Sequence, residues 1–234
     1  MTIRPLALLL LTLAASSWSW AQLPDTGQTS CFHSSGTTDC ANDNSHPRQD
    51  GSIGTTPVYT KLDAAGNALD AVAPAWACVR DTATGLTWEA KTADGGLRSV
   101  EHRHLWYSPI SAINGGDPGS ADVSDTCGNT IGFACNTANY VSYVNESSYC
   151  GASDWRLPTQ MELLTLVHAG RLNPAIDTTL FTNTASAPYW SSSTYAMHPT
   201  HAWGVHFGYG AAHAEPKSVA NAVRLVRGTW TRSP

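Results

Sequence analysis

The sequence predicts an α+β fold, in which helical segments precede a run of strands that pair as an antiparallel sheet. One observation is a T-x-x-E capping box, formed by Thr159 and Glu162, ahead of an apolar stripe at helical spacing. Another is a set of short runs within residues 188–228 that show the two-residue alternation of β-strands. Two main helices and long irregular loops complete the expected architecture.

The first 21 residues have the pattern of a secretory signal peptide. Arg4 precedes an apolar run from Leu6 to Ala15, and small residues surround Trp20, so cleavage is expected after Ala21. The run is too short for a membrane span, which needs roughly 20 residues, and no later segment reaches that length. The mature chain is expected to be exported to the periplasm or the cell surface, without a membrane span.

The charge balance argues against several classes of partner. The chain has a net charge of −5, and loss of Arg4 with the signal leaves 12 basic against 18 acidic residues, which gives −6. No run of Lys and Arg is present, so the sequence lacks the basic surface with which proteins bind nucleic acid. No Gly-rich sequence lies between a strand and a helix to hold a phosphate, and no cofactor is predicted.

Six cysteines in an exported chain predict disulfide bonds rather than a zinc site, since no C-x-x-C pair occurs. Other connectivities stay open, because sequence alone does not choose among them. The pairs that spacing favours are Cys31–Cys40, Cys127–Cys135 and Cys78–Cys150.

The mature chain is expected to consist of an arm and one domain. Residues 22–53 are rich in Ser, Thr, Gly, Asp and Asn and have few large aliphatic side chains, so they predict a loop-rich arm. Residues 54–234 are expected to form a single domain with a long irregular insertion at about 92–136. Within the domain, strands flank the turn at 81–85, and a helix is expected after Thr137.

The capped helix is expected to begin at about Gln160, because Pro158 blocks helix on its N-terminal side. Its periodicity predicts that Met161, Leu164 and Val167, with Leu163 beside them, form a buried stripe.

Three strand-like runs follow this helix: PYWSSST, AWGVHFGYG and NAVRLVRG. In the second run, Trp203, Val205 and Phe207 are expected to share one face. Most tryptophans lie in such regular segments and are expected in the core. Trp106, in the insertion, and Trp230, in the tail, are expected to be exposed.

Four histidines lie close together late in the chain: His198, His201, His206 and His213. Their spacing matches no standard zinc pattern, so no metal is predicted. The serines at 191–193 lack the G-x-S-x-G frame of a strained nucleophile. Because no nucleophile, base and orienting group present themselves together, the sequence predicts a protein that is not an enzyme.

Six segments carry a resemblance to a known family: DTATGLTW (81–88), SDWRLPTQMELLTLV (153–167), AIDTTLF (175–181), YWSSST (189–194), AWGVHFGYG (202–210) and AVRLVRG (222–228). Together they resemble the Lcl C-terminal domain family from about Val79 to Gly228. That family is named after a collagen-like bacterial adhesin and is placed in the C-type-lectin-like superfamily. Since the adhesin's domain binds sulfated glycans, the resemblance implies a C-type-lectin-like scaffold and extracellular binding.

Two activities of the wider superfamily are not implied. The stretch WRLPT also looks like the signature of formylglycine-generating enzymes, but those enzymes use a late pair of cysteines, and none follows Cys150 here. Calcium-dependent lectins use an E-P-N or Q-P-D loop, whereas Glu215 and Pro216 are followed here by Lys217. A calcium–sugar site is therefore not expected.

The sequence predicts an exported, non-enzymatic binding domain that recognises a glycan or an extracellular protein. An alternative is a structural or assembly subunit of a cell-surface appendage, which would self-associate through aromatic patches. The ligand-binding residues are expected in the insertion and in the late strands, at Trp106, Tyr107, His206 and Tyr209.

Overall fold

The structure is a computed structural model that describes residues 26–28, 30–40, 58–121, 127 and 134–230. Within these ranges the fold is α+β, as the sequence predicts. The predicted signal peptide lies outside the described residues, and the boundaries of the arm and of the domain stay predictions. The described part of the arm contains a β-hairpin.

The helices in the described ranges are α1 (Ser111–Asn114), α2 (Thr137–Glu146) and α3 (Gln160–Leu164), with a 3₁₀ turn at Tyr149–Gly151. The strands are β1 (Ser30–His33), β2 (Gly36–Asp39), β3 (Tyr59–Leu62), β4 (Cys78–Asp81), β5 (Thr87–Glu89), β6 (His104–Leu105), β7 (Pro188–Thr194), β8 (His201–His206), β9 (Ala211–Pro216), β10 (Ala220–Asn221) and β11 (Val226–Arg227).

The strands form two larger sheets and two strand pairs, and neighbouring strands within them run antiparallel. One sheet has the order β11-β5-β4-β3, and the other has the order β7-β8-β9. The two pairs are β1-β2 and β10-β6. Because β11 comes late in the chain, it closes the four-stranded sheet across a large sequence distance.

Two hydrophobic cores flank the strands, and adjacent strand residues divide between them. In β4, Cys78 belongs to the first core and Val79 to the second. In β7, Trp190 belongs to the first core and Tyr189 to the second. Successive side chains of a strand point to opposite faces, so both faces of these strands are covered.

A buried carboxylate joins three parts of the domain. Glu89 accepts hydrogen bonds from Lys91 Nζ at 3.1 Å, from Leu225 N at 2.9 Å and from the Tyr140 hydroxyl. The Glu89 side chain is fully buried and that of Lys91 is 3 % exposed. Burial lowers the pKa of Lys91 to about 8, against the opposing attraction of Glu89. Strand β5, helix α2 and the segment before β11 therefore depend on one ionised group.

The capping box at α3 is confirmed, but the predicted buried stripe is partly wrong. Thr159 accepts a hydrogen bond from Glu162 N, and the Glu162 carboxylate accepts one from Thr159 N. Met161 is 58 % exposed, whereas Leu163 and Leu166 are buried. Leu164 and Val167 pack against the second core as predicted, so Met161 is the member of the stripe that is wrong.

The last predicted strand run is interrupted rather than continuous, since it holds the end of β10 and all of β11 with residues 223–225 outside any strand, and β9 was missed. Every residue from 221 to 226 is buried, without the alternation of a strand that has one face in solvent. Arg224 lies in this run with no exposed surface, donating to the carbonyl of Glu89 and to Thr184 Oγ1. The sequence of β9, AAHAEP, has low β-propensity, and its strand forms through pairing with β8.

Trp230, expected to be exposed, is half-buried against the second core.

The cysteine pairing that spacing favours is confirmed. The bridges are Cys31–Cys40, Cys78–Cys150 and Cys127–Cys135, and no cysteine is free.

Substitution Glu89→Gln is expected to lower the free energy of unfolding by about 3–5 kcal/mol, because it leaves the buried Lys91 ammonium without its counter-ion. Urea denaturation of the exported protein measures the change. The matched substitution Glu101→Gln, at an exposed position, should change stability by no more than about 0.5 kcal/mol. Equal stability of the two variants would contradict the role assigned to Glu89.

Candidate functional site

A groove with a volume of about 470 Å³ opens between α1, α2 and the segment that leads into α3. Its lining is mainly aliphatic and includes Ile110, Ile113, Val141 and Leu157. Ile110 and Ile113 are 58 % and 43 % exposed. Its volume falls within the range of about 300–1,000 Å³ that is typical of ligand pockets. We call this feature the apolar groove.

Trp106 and Tyr107, both predicted ligand residues, line the apolar groove. The expectation that Trp106 is exposed is wrong, because its side chain is fully buried. Its indole Nε1 donates to Ser191 O at 2.8 Å, which ties the insertion to β7. Gly119 packs so closely on Trp106 that a β-carbon there would collide with it, and a φ of +77° also favours glycine. Trp106 therefore forms part of the wall of the groove rather than an exposed platform.

A buried lysine holds the α1 side of the groove. Lys217 Nζ donates to Asn114 O at 2.9 Å and to Asp117 O at 2.6 Å. The same ammonium lies 4.1 Å from the centre of the Trp106 ring, within cation–π distance. Burial lowers the pKa of Lys217, with the charge of Asp117 opposing the shift. One side chain thus fixes the loop after α1 against the wall of the groove.

The start of α2 is bound to Tyr107 through backbone contacts. Thr137 Oγ1 accepts from Tyr107 N at 3.0 Å and donates to Tyr107 O at 2.8 Å. Asn136 caps α2 by accepting from Asn139 N. The two sides of the groove are therefore held at a fixed separation.

The third side of the groove comes from the stretch before α3, where Arg156, Leu157 and Thr159 are lining residues. Arg156 makes a two-pronged ion pair with Glu162, at 2.8 and 2.7 Å. Burial opposes ionisation of Glu162, but hydrogen bonds from Arg156 and Thr159 outweigh it and lower the pKa of the carboxyl. The sequence predicts a capped helix here but not the contribution of this stretch to the groove.

The other two predicted ligand residues form a separate feature at the turn between β8 and β9. His206 and Tyr209 stack with ring centres 4.2 Å apart and an angle of 18° between their planes. Gly208 N donates to His206 Nδ1 at 3.0 Å, which sets the orientation of the ring. Tyr209 is 57 % exposed. Neither residue lines the apolar groove, so the four predicted residues divide into two pairs.

The late histidines also divide into pairs. The rings of His198 and His201 are 5.9 Å apart, and those of His206 and His213 are 6.1 Å apart. Within the part of the chain that the structure describes, no three of them bring ligand atoms together. Burial lowers the pKa of His213, against the attraction of Glu215, so this imidazole is neutral at physiological pH.

Comparison with known families covers most of the described residues. A family model for the Lcl C-terminal domain matches residues 77–227. The chain belongs to the Lcl C-terminal domain family. Family membership indicates a cell-surface, adhesin-like domain, and the disulfide bonds agree with export. No curated protein matches the chain. In the described ranges, the helices are all too short or too polar to cross a bilayer.

Substitution Lys217→Met should loosen the loop after α1, because two backbone carbonyls lose their donor. Hydrogen–deuterium exchange should become faster in residues 108–120, with a loss of about 1–3 kcal/mol in stability. Lys61→Met is the matched control, since Lys61 also donates to a carbonyl, Ala73 O, and lies over a tryptophan, Trp76. Exchange in residues 108–120 should not change in that control, and equal acceleration in both variants would contradict the assignment.

Substitution Glu162→Gln should lower the free energy of unfolding by about 1–2 kcal/mol at neutral pH, through loss of the cap and the ion pair. The folded-state pKa of Glu162 lies below the ordinary value of 4.5, so its contribution is present above pH 4.5 and is lost as pH falls through the folded-state pKa. The difference between the variant and the parent should therefore shrink on acidification below pH 4.5. Urea titrations across this range test it, and a constant difference would refute it.

Proposed function

We propose that this chain is an exported, adhesin-like binding domain that takes apolar side chains of an extracellular protein into the apolar groove. Family membership supports the adhesin-like role, and the groove supports the choice of a protein ligand. Binding without catalysis is part of the proposal.

The observation that carries the proposal is the state of the polar groups that line the groove. The guanidinium of Arg156 is engaged by Glu162 and by Gly228 O. Thr137 Oγ1 is bonded to the backbone of Tyr107, and Thr159 Oγ1 caps α3. A sugar needs donors and acceptors for its hydroxyl groups, whereas an apolar side chain does not. These bonds therefore favour an apolar occupant over a sugar.

The exposed aliphatic surface supplies a driving force for such binding. The side chains of Ile110 and Ile113 are partly exposed to solvent and line the groove. Covering apolar surface is favourable by roughly 25 cal/mol per Å². Because hydrogen bonds hold three sides of the groove, little ordering is needed when a ligand enters.

A glycan ligand is a second candidate, favoured by the stacked rings of His206 and Tyr209. The face of an exposed aromatic ring can pack against the apolar face of a sugar. In this case the ligand would bind at the β8–β9 turn, and the groove would be unaffected. The C-type-lectin-like scaffold that the sequence resembles agrees with either ligand.

The test begins with selection of a random-peptide display library on the mature protein. We expect selected peptides to share apolar residues, and Ile113→Asp to weaken their binding by at least about 2 kcal/mol, or roughly 30-fold in Kd. Met161→Asp is the matched control, because Met161 is 58 % exposed and does not line the groove. Circular dichroism confirms that both variants fold.

Other outcomes identify the alternatives. A glycan array signal that is lost in Tyr209→Ala but kept in Ile113→Asp would replace the protein ligand with a glycan. Silence in both assays, together with a concentration-dependent oligomer in light scattering, would favour an assembly subunit. Peptides that bind Ile113→Asp as well as the parent would overturn the groove proposal.

A further inference from the structure

A buried imidazole lies beside one of the disulfide bridges. His104 Nε2 is 3.8 Å from Cys127 Sγ, and the ligand atoms of His104, Cys127 and Cys135 all lie within 4.8 Å of one another. The three residues are 1 %, 3 % and 1 % exposed. Among the residues that the structure describes, no other set of three His, Cys, Asp or Glu side chains has this arrangement.

Backbone contacts hold the imidazole against the bridge. Leu105 N donates to Cys135 O at 3.0 Å, which fixes β6 beside the cysteine. The indole of Trp190 donates to His104 O at 2.9 Å. The ring of Tyr140 lies 4.7 Å from that of His104 and limits its rotation. The relative positions of nitrogen and sulfur are therefore set by the fold.

The two ring nitrogens of His104 have different surroundings. Nε2 lies 3.8 Å from Cys127 Sγ, whereas Nδ1 is buried without a hydrogen-bond partner among the described residues. Nε2 is therefore the nitrogen placed to share a metal ion with the two sulfurs.

We propose that His104, Cys127 and Cys135 bind one zinc-class divalent cation when the Cys127–Cys135 bridge is reduced. Two thiolates and one imidazole match the preference of zinc for sulfur and nitrogen, and the two negative charges neutralise the ion. Three protein ligands leave a fourth position for water. The ion and the disulfide exclude each other, since a bridged sulfur carries no negative charge.

The exchange between the two states is balanced as follows. A dithiol donor supplies two electrons and two protons, the sulfur–sulfur bond of Cys127–Cys135 breaks, and the donor becomes a disulfide. When the cation binds, both thiol protons are released to solvent.

The test uses Co²⁺ as a spectroscopic probe of the mature protein in oxygen-free buffer. After reduction with a phosphine, we expect one equivalent of Co²⁺ to give a thiolate-to-metal charge-transfer band, and we expect none before reduction. His104→Gln should weaken binding by more than the roughly 10–100-fold that loss of an outer-shell partner costs. The double variant Cys31→Ser, Cys40→Ser is the matched control and should keep the band, because that bridge belongs to no such set.

A second measurement covers the case in which full reduction unfolds the chain. The protein is partly reduced with a dithiol and exposed to Zn²⁺, and native mass spectrometry with peptide mapping identifies the open bridge in each zinc adduct. We expect zinc only on molecules in which Cys127 and Cys135 are free. Zinc on molecules with that bridge closed, no adduct at all, unchanged affinity in His104→Gln, or a bridge that opens only on global unfolding would each overturn the proposal.

Discussion

The buried charge of Glu89 is the constraint on which the rest of the domain depends. Its two oxygens accept hydrogen bonds from the ammonium of Lys91, which follows β5, from the hydroxyl of Tyr140 in α2 and from the backbone N–H of Leu225. Because Leu225 lies beside β5, the residues that follow it can pair with β5 as strand β11 and complete the four-stranded sheet. The position of Tyr140 fixes α2, which forms one side of the apolar groove. A carboxylate far from solvent is thus connected to the candidate binding surface.

The sequence predicts those features that depend on residues close to one another in the chain. The capping box of Thr159 and Glu162 needs residues three apart, and export together with spacing suggested the cysteine pairs. Strand β9 was not readable, because its low propensity is overridden by pairing with β8. The burial of Arg224 was not readable either, since its partners Glu89 and Thr184 are 40 or more residues away.

For the same reason, the sequence predicts only part of the candidate site. Tryptophan and tyrosine drew attention to Trp106 and Tyr107, although the first proved to be part of the groove wall. The aliphatic lining residues Ile110, Val141 and Leu157 come from separate segments and have no shared spacing in the chain. A surface of this kind exists only after folding brings its parts together. The stretch SDWRLPTQMELLTLV therefore both marks the fold and contributes to the groove.

The environments of the lysines have a consequence for chemical labelling. The chain contains three lysines, and two of them, Lys91 and Lys217, are buried. The third, Lys61, is half-buried in β3 and lies outside both the groove and the aromatic stack. A reagent that couples to primary amines therefore meets one accessible lysine side chain. Biotin or a sensor surface attached through this amine leaves both candidate binding surfaces chemically intact.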